Sequence, residues 1–275
     1  MTLSLLDADI VCYQAAAAAQ TTIDDEVFAS LTRAKSYAVD TIDTWHMKSG
    51  CDSPFLVWSP ASRTNFRHLV WADYKGGRSE KPVVYWALRE YLEDRYPSKS
   101  VEYLEADDLL AQMIHHPGTP EGSVIVSIDK DLKTVPECYL LNPTKMEFPE
   151  WTSQAKADRW WLTQTLTGDP VDGFKGAKGV GIKAADKALS PLFTRRRGPD
   201  DQPLYGFDLP KALQVSADLY KAKGHTFDDF LTNARMARML RRGEYDGKLK
   251  RIKLWHPSED VWLDLPAKET KQNEN

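Results

Sequence analysis

Ser123-Val-Ile-Val-Ser127-Ile-Asp129-Lys-Asp131 is the stretch on which the reading of this chain turns. A short run of β-branched residues reads as a buried strand. Two aspartates follow it at a spacing of two, which lets both side chains point the same way. The same pattern recurs upstream. Leu3 to Leu6 reads as a buried strand running into Asp7 and Asp9. Residues 101–104 read as another strand, running into Glu105, Asp107 and Asp108, with a helix predicted over 106–114. Glu105 and Asp108 are three apart and would share a helix face.

Further helices are predicted over 24–48, with Val27, Leu31, Ala34, Ala38 and Ile42 on one face, and over 81–96, stopping before Pro97. Phe55 to Trp58 is one more short apolar run. Strands alternating with helices imply an α/β fold with a mainly parallel central sheet flanked by helices. In such sheets, sites gather at the carboxyl ends of the strands. After about residue 150 strand patterns fade, and helical ones such as 209–221 and 227–242 take over. The expected division is an α/β core over 1–165, with a basic gateway at about 59–81, and a helical nucleic-acid-binding region over 166–275.

Composition narrows the class. The 275 residues are 42% hydrophobic and 28% charged. They hold no apolar run of membrane-spanning length. The alanine run from Ala15 to Ala19 lacks the flanks of a signal peptide. Cys12, Cys51 and Cys138 are scattered without disulfide or metal-binding spacing, and the cytoplasm is the expected compartment. Net charge is −4, but unevenly spread: 16 Lys/Arg against 26 Asp/Glu in 1–172, 18 against 9 in 173–256, and 2 against 5 in 257–275. An acidic half beside a basic half suits a protein that collects metal ions and grips phosphates.

A fourth acidic group, Asp169 and Asp172, precedes Gly176-Ala-Lys178-Gly179-Val-Gly181-Ile-Lys183-Ala-Ala-Asp-Lys187. Crowded carboxylates repel unless cations neutralise them. Hard oxygen ligands suit magnesium or manganese, and the chemistry that needs them in number is two-metal phosphodiester hydrolysis. The glycines would let backbone approach a phosphate, with amides at a helix start and Lys178, Lys183 and Lys187 adding charge. A second basic segment, Tyr74-Lys75-Gly-Gly-Arg78-Ser-Glu-Lys81, offers Lys75, Arg78 and Lys81 to a scissile phosphate. Arg63, Arg67 and His68 add charge nearby, and Phe66, Trp71 and Tyr74 are candidates for stacking on bases.

Taken in order, Leu5-Leu-Asp-Ala-Asp9, Tyr74–Arg78, Glu105-Ala-Asp-Asp108, Ser127-Ile-Asp-Lys-Asp-Leu-Lys133, Gly168-Asp-Pro-Val-Asp172 and 176–187 resemble the flap-endonuclease and 5′→3′ exonuclease family, within the PIN-like nucleases. The compact exonucleases of short-tailed bacteriophages are most similar, down to Ala234–Leu240 and Leu254-Trp-His-Pro257. The resemblance implies Asp7, Glu105, Asp107 and Asp108 around a first metal and Asp129, Asp131, Asp169 and Asp172 around a second. It implies Lys75 and Arg78 as active-site cations at a gateway, and Gly176, Gly179 and Gly181 in a helix–three-turn–helix holding duplex DNA, with a potassium ion. It further implies a monomer acting on 5′ ends or flaps, with RNA–DNA hybrids as further substrates, in a bacterial host cytoplasm; DNA replication, host-DNA breakdown and recombination would use the same site. Asp9 matches the phage branch alone. Ser59 stands where many members carry another acid, and 59–81 is short for a closed arch.

Two other readings compete. Asp7-Ala-Asp9 also resembles the nucleophile motif of haloacid-dehalogenase-type phosphatases, which leaves the later acids and the glycines unexplained. Ser59 motivates a catalytically weak protein that binds branched DNA.

Overall fold

The structure, a computed structural model, describes residues 1–77, 80–198 and 202–266. Its centre is a six-stranded sheet in the order β5-β4-β1-β6-β7-β8: β1 (Leu3–Asp7), β4 (Ser53–Trp58), β5 (Ser98–Ser100), β6 (Val124–Val126), β7 (Cys138–Leu141) and β8 (Glu150–Thr152). All neighbours are parallel except β7 and β8. Alternation in the strands sends Leu6, Leu56, Trp58, Val124 and Val126 to one face, where α1 (Ala8–Ala18), α2 (Leu31–Ser49) and α4 (Tyr85–Arg95) cover them. Leu5, Val57 and Ile125 face the other way, onto α5 (Ala106–Ile114). A parallel sheet buried on both faces is the expected α/β arrangement.

The chain runs from β1 outward to β4 and β5, then returns to β6 and β7 on the other side of β1. That reversal opens a crevice at the carboxyl ends of β1 and β6, and Asp7 and Asp129 stand at its lips.

The second half adds α6 (Gln154–Thr167), α7 (Ile182–Leu189), α8 (Leu209–Ala222) and α9 (Phe227–Met236) around Trp161, Leu162, Leu166, Phe230 and Ala234. Strands also appear where a mostly helical region was expected: a hairpin of β9 (Phe193–Arg197) and β10 (Pro203–Phe207), and a small sheet of β11 (Tyr245–Asp246), β12 (Arg251–Leu254) and β13 (Val261–Asp264). Met239, Leu240, Ile252, Leu254 and Leu265 from this half pack into the core beside α5.

Other elements shift for local reasons. The helix expected over 24–48 begins at Leu31, where the Ser30 hydroxyl caps it by accepting from the Arg33 amide. Residues 20–29 form a hairpin of β2 (Gln20–Ile23) and β3 (Glu26–Ala29), because Asp24 and Asp25 both take positive φ (49° and 63°), the twist a two-residue turn needs. The strand expected over 101–104 sits earlier, at β5. Tyr103 turns to a φ of 68°, its amide bonds the Thr64 hydroxyl, and its carbonyl accepts from Phe66. The helix expected over 227–242 stops at Met236, beyond which Arg238 and Arg241 turn to partners in Glu244 and Asp158.

Candidate active site at the carboxyl edge of the sheet

Asp7 ends β1 and caps α1 by accepting from the Ile10 amide. Its other oxygen accepts from the Ser127 hydroxyl at 2.9 Å, so the motifs after β1 and β6 are joined side chain to side chain. Burial, then the negative charges of Asp9 and Asp129, push the Asp7 carboxyl up to about 7. Asp107, in the first turn of α5, is driven well above the usual carboxylate range by burial and by Asp129 and Asp7. Its Oδ1 is buried with no hydrogen-bond partner among the described residues. Asp129 is raised by burial, although its Oδ1 accepts from the Asp131 amide at 2.8 Å. Asp131 rises to about 7 through burial and its neighbours Asp129 and Asp172, while Gln164 donates to it.

Two lysines temper this crowd. Lys75 takes a φ of 55° and donates its amide to the Asp172 carbonyl. Its Nζ then lies 2.7 Å from Glu105 Oε1 and 3.5 Å from Asp172 Oδ1. The Tyr74 hydroxyl sits 3.0 Å from Glu105 and 3.1 Å from Asp172. Burial and Glu105 raise its pKa well above the usual value, so it stays a protonated donor. Lys130 Nζ lies 2.6 Å from Asp169 Oδ2. Burial pushes Asp169 up, but Lys130 and the Val171 amide outweigh it and hold the carboxyl low.

Asp7, Glu105, Asp107, Asp129, Asp131, Asp169 and Asp172 are thus brought together. Asp108 is not. Its carboxylate is fully buried, gripped by the equally buried Arg67 and by the Leu240 amide at 3.0 Å. Being three residues from Glu105 put it near the same helix face, but the side chain turns inward. Among the described residues, no three acidic, histidine or cysteine groups form a ready-made cage; the acids are tied to Lys75, Lys130, Ser127 and Gln164.

Asp9 bonds the Ser59 amide at 2.9 Å and the Tyr85 hydroxyl at 2.8 Å. Ser59 accepts through Oγ from the Ala106 amide at 3.0 Å, capping α5 from outside it. Asp9, Ser59 and Tyr85, with Lys75, Lys81, Arg63 and Trp86, line a cavity of about 290 Å³ on the gateway side. Lys81 lies 4.4 Å over the Tyr85 ring; Arg78 falls outside the described residues. Phe66, Tyr74 and Arg67 are buried, so none of them presents itself to a base or phosphate. Sequence reasoning missed Gln164, which no motif marks, and Ser127 as a hydrogen-bond donor, although Ser127 stands inside the quoted stretch.

The glycine-rich segment follows the acids without a gap. Asp169 pairs with Phe174 in an isolated bridge, the Gly176 amide bonds Asn233 Oδ1 at 3.0 Å, and the exposed Lys178 donates its amide to His225. Gly179 has a φ of 73°. Gly181 begins α7, with Lys183 exposed in its first turn.

No family model matches the chain. Individual relatives do. The exonuclease of Escherichia phage T7 is 28% identical over 280 residues, covering 92% of this chain and 93% of that one. The exodeoxyribonuclease of Enterobacteria phage T3 is 27% identical over 286 residues, covering 92% of each. A thermostable DNA polymerase I from Thermus caldophilus is 32% identical over 160 residues, which span 52% of this chain but 18% of the polymerase. In fold, a bacteriophage T5 protein co-crystallised with metal ions superposes with a TM-score of 0.56 at 16% identity, over 86% of this chain and 89% of that one. These named relatives support the flap-endonuclease and 5′→3′ exonuclease family as the one this chain resembles. Its enzyme class is that of the nucleases, and a phosphatase of the haloacid-dehalogenase type finds no support among these relatives.

Proposed function

We propose that the chain is a divalent-metal-dependent nuclease that hydrolyses DNA phosphodiesters from 5′ ends by a two-metal mechanism. The observation that carries this reading is the crowding of Asp7, Asp107, Asp129 and Asp131 in the crevice between β1 and β6, with one Asp107 oxygen buried and unpartnered among the described residues. Carboxylates forced together in this way suit hard cations, magnesium or manganese. Asp7, Glu105 and Asp107 would hold the first ion, and Asp129, Asp131, Asp169 and Asp172 the second. Two such ions would supply a water of lowered pKa and would neutralise charge on the transferring phosphate.

The rest falls to the chain. Lys75, with Arg78, meets the charge that develops on the phosphate oxygens. Tyr74 orients Glu105 and Asp172 against each other. The 176–181 loop and the start of α7, with Lys178, Lys183 and a potassium ion, hold the duplex backbone, while Lys81 faces the strand entering at the gateway. Phage T5 structures of like fold, one a flap endonuclease in complex with DNA and metal ions, support the reading. Flaps and RNA–DNA hybrids are further substrates of the proposal, and the monomer is its active unit. Asp108 leaves the ligand set, because Arg67 and Leu240 consume its lone pairs.

Ser59 favours one rival. Its hydroxyl is spent capping α5, so no acid stands at that place, as in a protein that binds branched DNA with little turnover. Digestion of one duplex labelled at either end, with magnesium and with chelator, decides between them. Short products released from the 5′ label and abolished by chelator are expected; tight binding without any metal-dependent product would leave the branched-DNA binder.

A further inference from the structure

The turn that carries Asp129 and Asp131 has a second side. Lys130 and Lys133, interleaved with those acids, line a separate cavity of about 340 Å³ that runs to the β8 edge of the sheet, together with Lys145, Lys156, Trp151 and Trp160. It begins at the acid cluster, since Lys130 is the residue that pairs with Asp169. It lies towards the opposite edge of the sheet from the gateway cavity, which Ser59 and Pro60 line just past β4.

The lining is built like a surface for a strand of nucleic acid. The Lys133 ammonium sits 4.9 Å over the Trp160 ring. Trp151, on the edge strand, is half exposed and meets Tyr139 edge-to-face at 5.2 Å. The Trp160 indole N–H is buried without a partner among the described residues. Glu150 is the single acid among the lining residues.

These features discriminate between partners. An apolar protein surface would have to cover several ammonium groups without pairing them, which is costly. A duplex hides the faces of its bases. An unpaired strand offers phosphates to lysines and base faces to tryptophans together. We infer that this groove binds an unpaired nucleic-acid strand, with phosphates on Lys130, Lys133 and Lys145 and bases stacked on Trp151 and Trp160, on the far flank of the acid cluster from the gateway. The inference deepens the nuclease reading and rests on it for the strand's destination.

The test is anisotropy of a fluorescein-labelled oligothymidylate with the full chain in chelator. Trp151→Ala is expected to weaken binding at least about fivefold, the effect of one lost stacking platform, and Trp151→Phe to restore most of it. Replacing Lys133 and Lys145 together by glutamine should lower the slope of log affinity against log salt by about 1.4. Should Trp151→Ala melt early, Trp151→Phe and the lysine pair carry the decision. Binding within twofold of the parent in every variant, with an unchanged salt slope, overturns the groove. So does competition by polyglutamate as strong as that of the oligonucleotide itself. A parent that binds oligothymidylate but leaves end-labelled duplex uncut in magnesium would remove the catalytic reading alone. A parent that cuts, and whose oligonucleotide binding ignores these substitutions, would remove the groove alone.

Discussion

Arg67 and Asp108 meet as a two-pronged ion pair with both side chains wholly excluded from solvent. Arg67 also donates to the Arg238 carbonyl, and Asp108 accepts from the Leu240 amide. The pair therefore fastens the gateway segment and α5 to the stretch after α9. Removing one partner strands the other charge inside the protein, at a cost of about 3–5 kcal/mol. Asp108→Asn should lower the urea midpoint sharply. A variant that melts like the parent yet cannot cut would return Asp108 to the metal set.

Asp7 and Asp131 carry pKa values of about 7 against an ordinary 3.8. The folded state keeps protons that the unfolded chain releases above about pH 4. Metal-free protein should therefore lose stability as pH rises from about 4 to about 7 and level off beyond, by up to about 1.4 kcal/mol per unit for each group. Melting temperatures in chelator across that window check the slope. Magnesium added near pH 8 should raise the midpoint, because it binds the folded state; no response would argue against a cation among these acids.

Asp129→Asn removes one like charge from the crowd. Stability in chelator should hold or rise, while magnesium-dependent cleavage falls by more than the roughly 10–100-fold typical of an outer-shell partner. Full cleavage by this variant would defeat the ligand assignment.

The glycines of the phosphate-handling loop differ in what they demand. A Cβ on Gly176, at a φ of 64°, would lie 2.3 Å from the Gly168 nitrogen. Gly181 has ordinary φ, and a Cβ there would meet nothing within 4 Å. Gly176→Ala should unsettle the fold by more than about 1–3 kcal/mol. Gly181→Ala should melt within about 0.5 kcal/mol of the parent yet bind duplex more weakly. Equal duplex binding would mean that no phosphate comes close to that backbone.

Ser59 caps α5 through the Ala106 amide, and Ser59→Ala should cost about 1 kcal/mol. Ser59→Asp keeps an accepting oxygen and adds a charge beside Asp9, so tighter magnesium binding, read by calorimetry, is the expected result.

The sheet and most of the acid cluster were legible because they depend on local pattern: β-branched runs, and acids placed just past them. What escaped depends on contacts distant in sequence. Asp108 reads like its neighbours until Arg67, 41 residues away, claims it. Arg238 and Arg241 count as basic charge facing DNA, yet each is paired within the protein, to Glu244 and Asp158. The hairpins at β2–β3 and β9–β10 are short and mostly exposed, so neither presents a hydrophobic period. The turn at Tyr103 comes from bonds to Thr64 and Phe66 that no motif announces.

The back-to-back approach of Gly168 and Gly176 closes residues 168–176 into a loop braced by the Asp169–Phe174 bridge. On the proposed reading, one end of that loop presents acids to the cut and the other presents amides to the backbone. The loop then works as a caliper whose jaws are set by main chain rather than by flexible side chains. Mutations that loosen the grip should change how often the enzyme cuts, and leave unchanged the number of nucleotides between grip and cut.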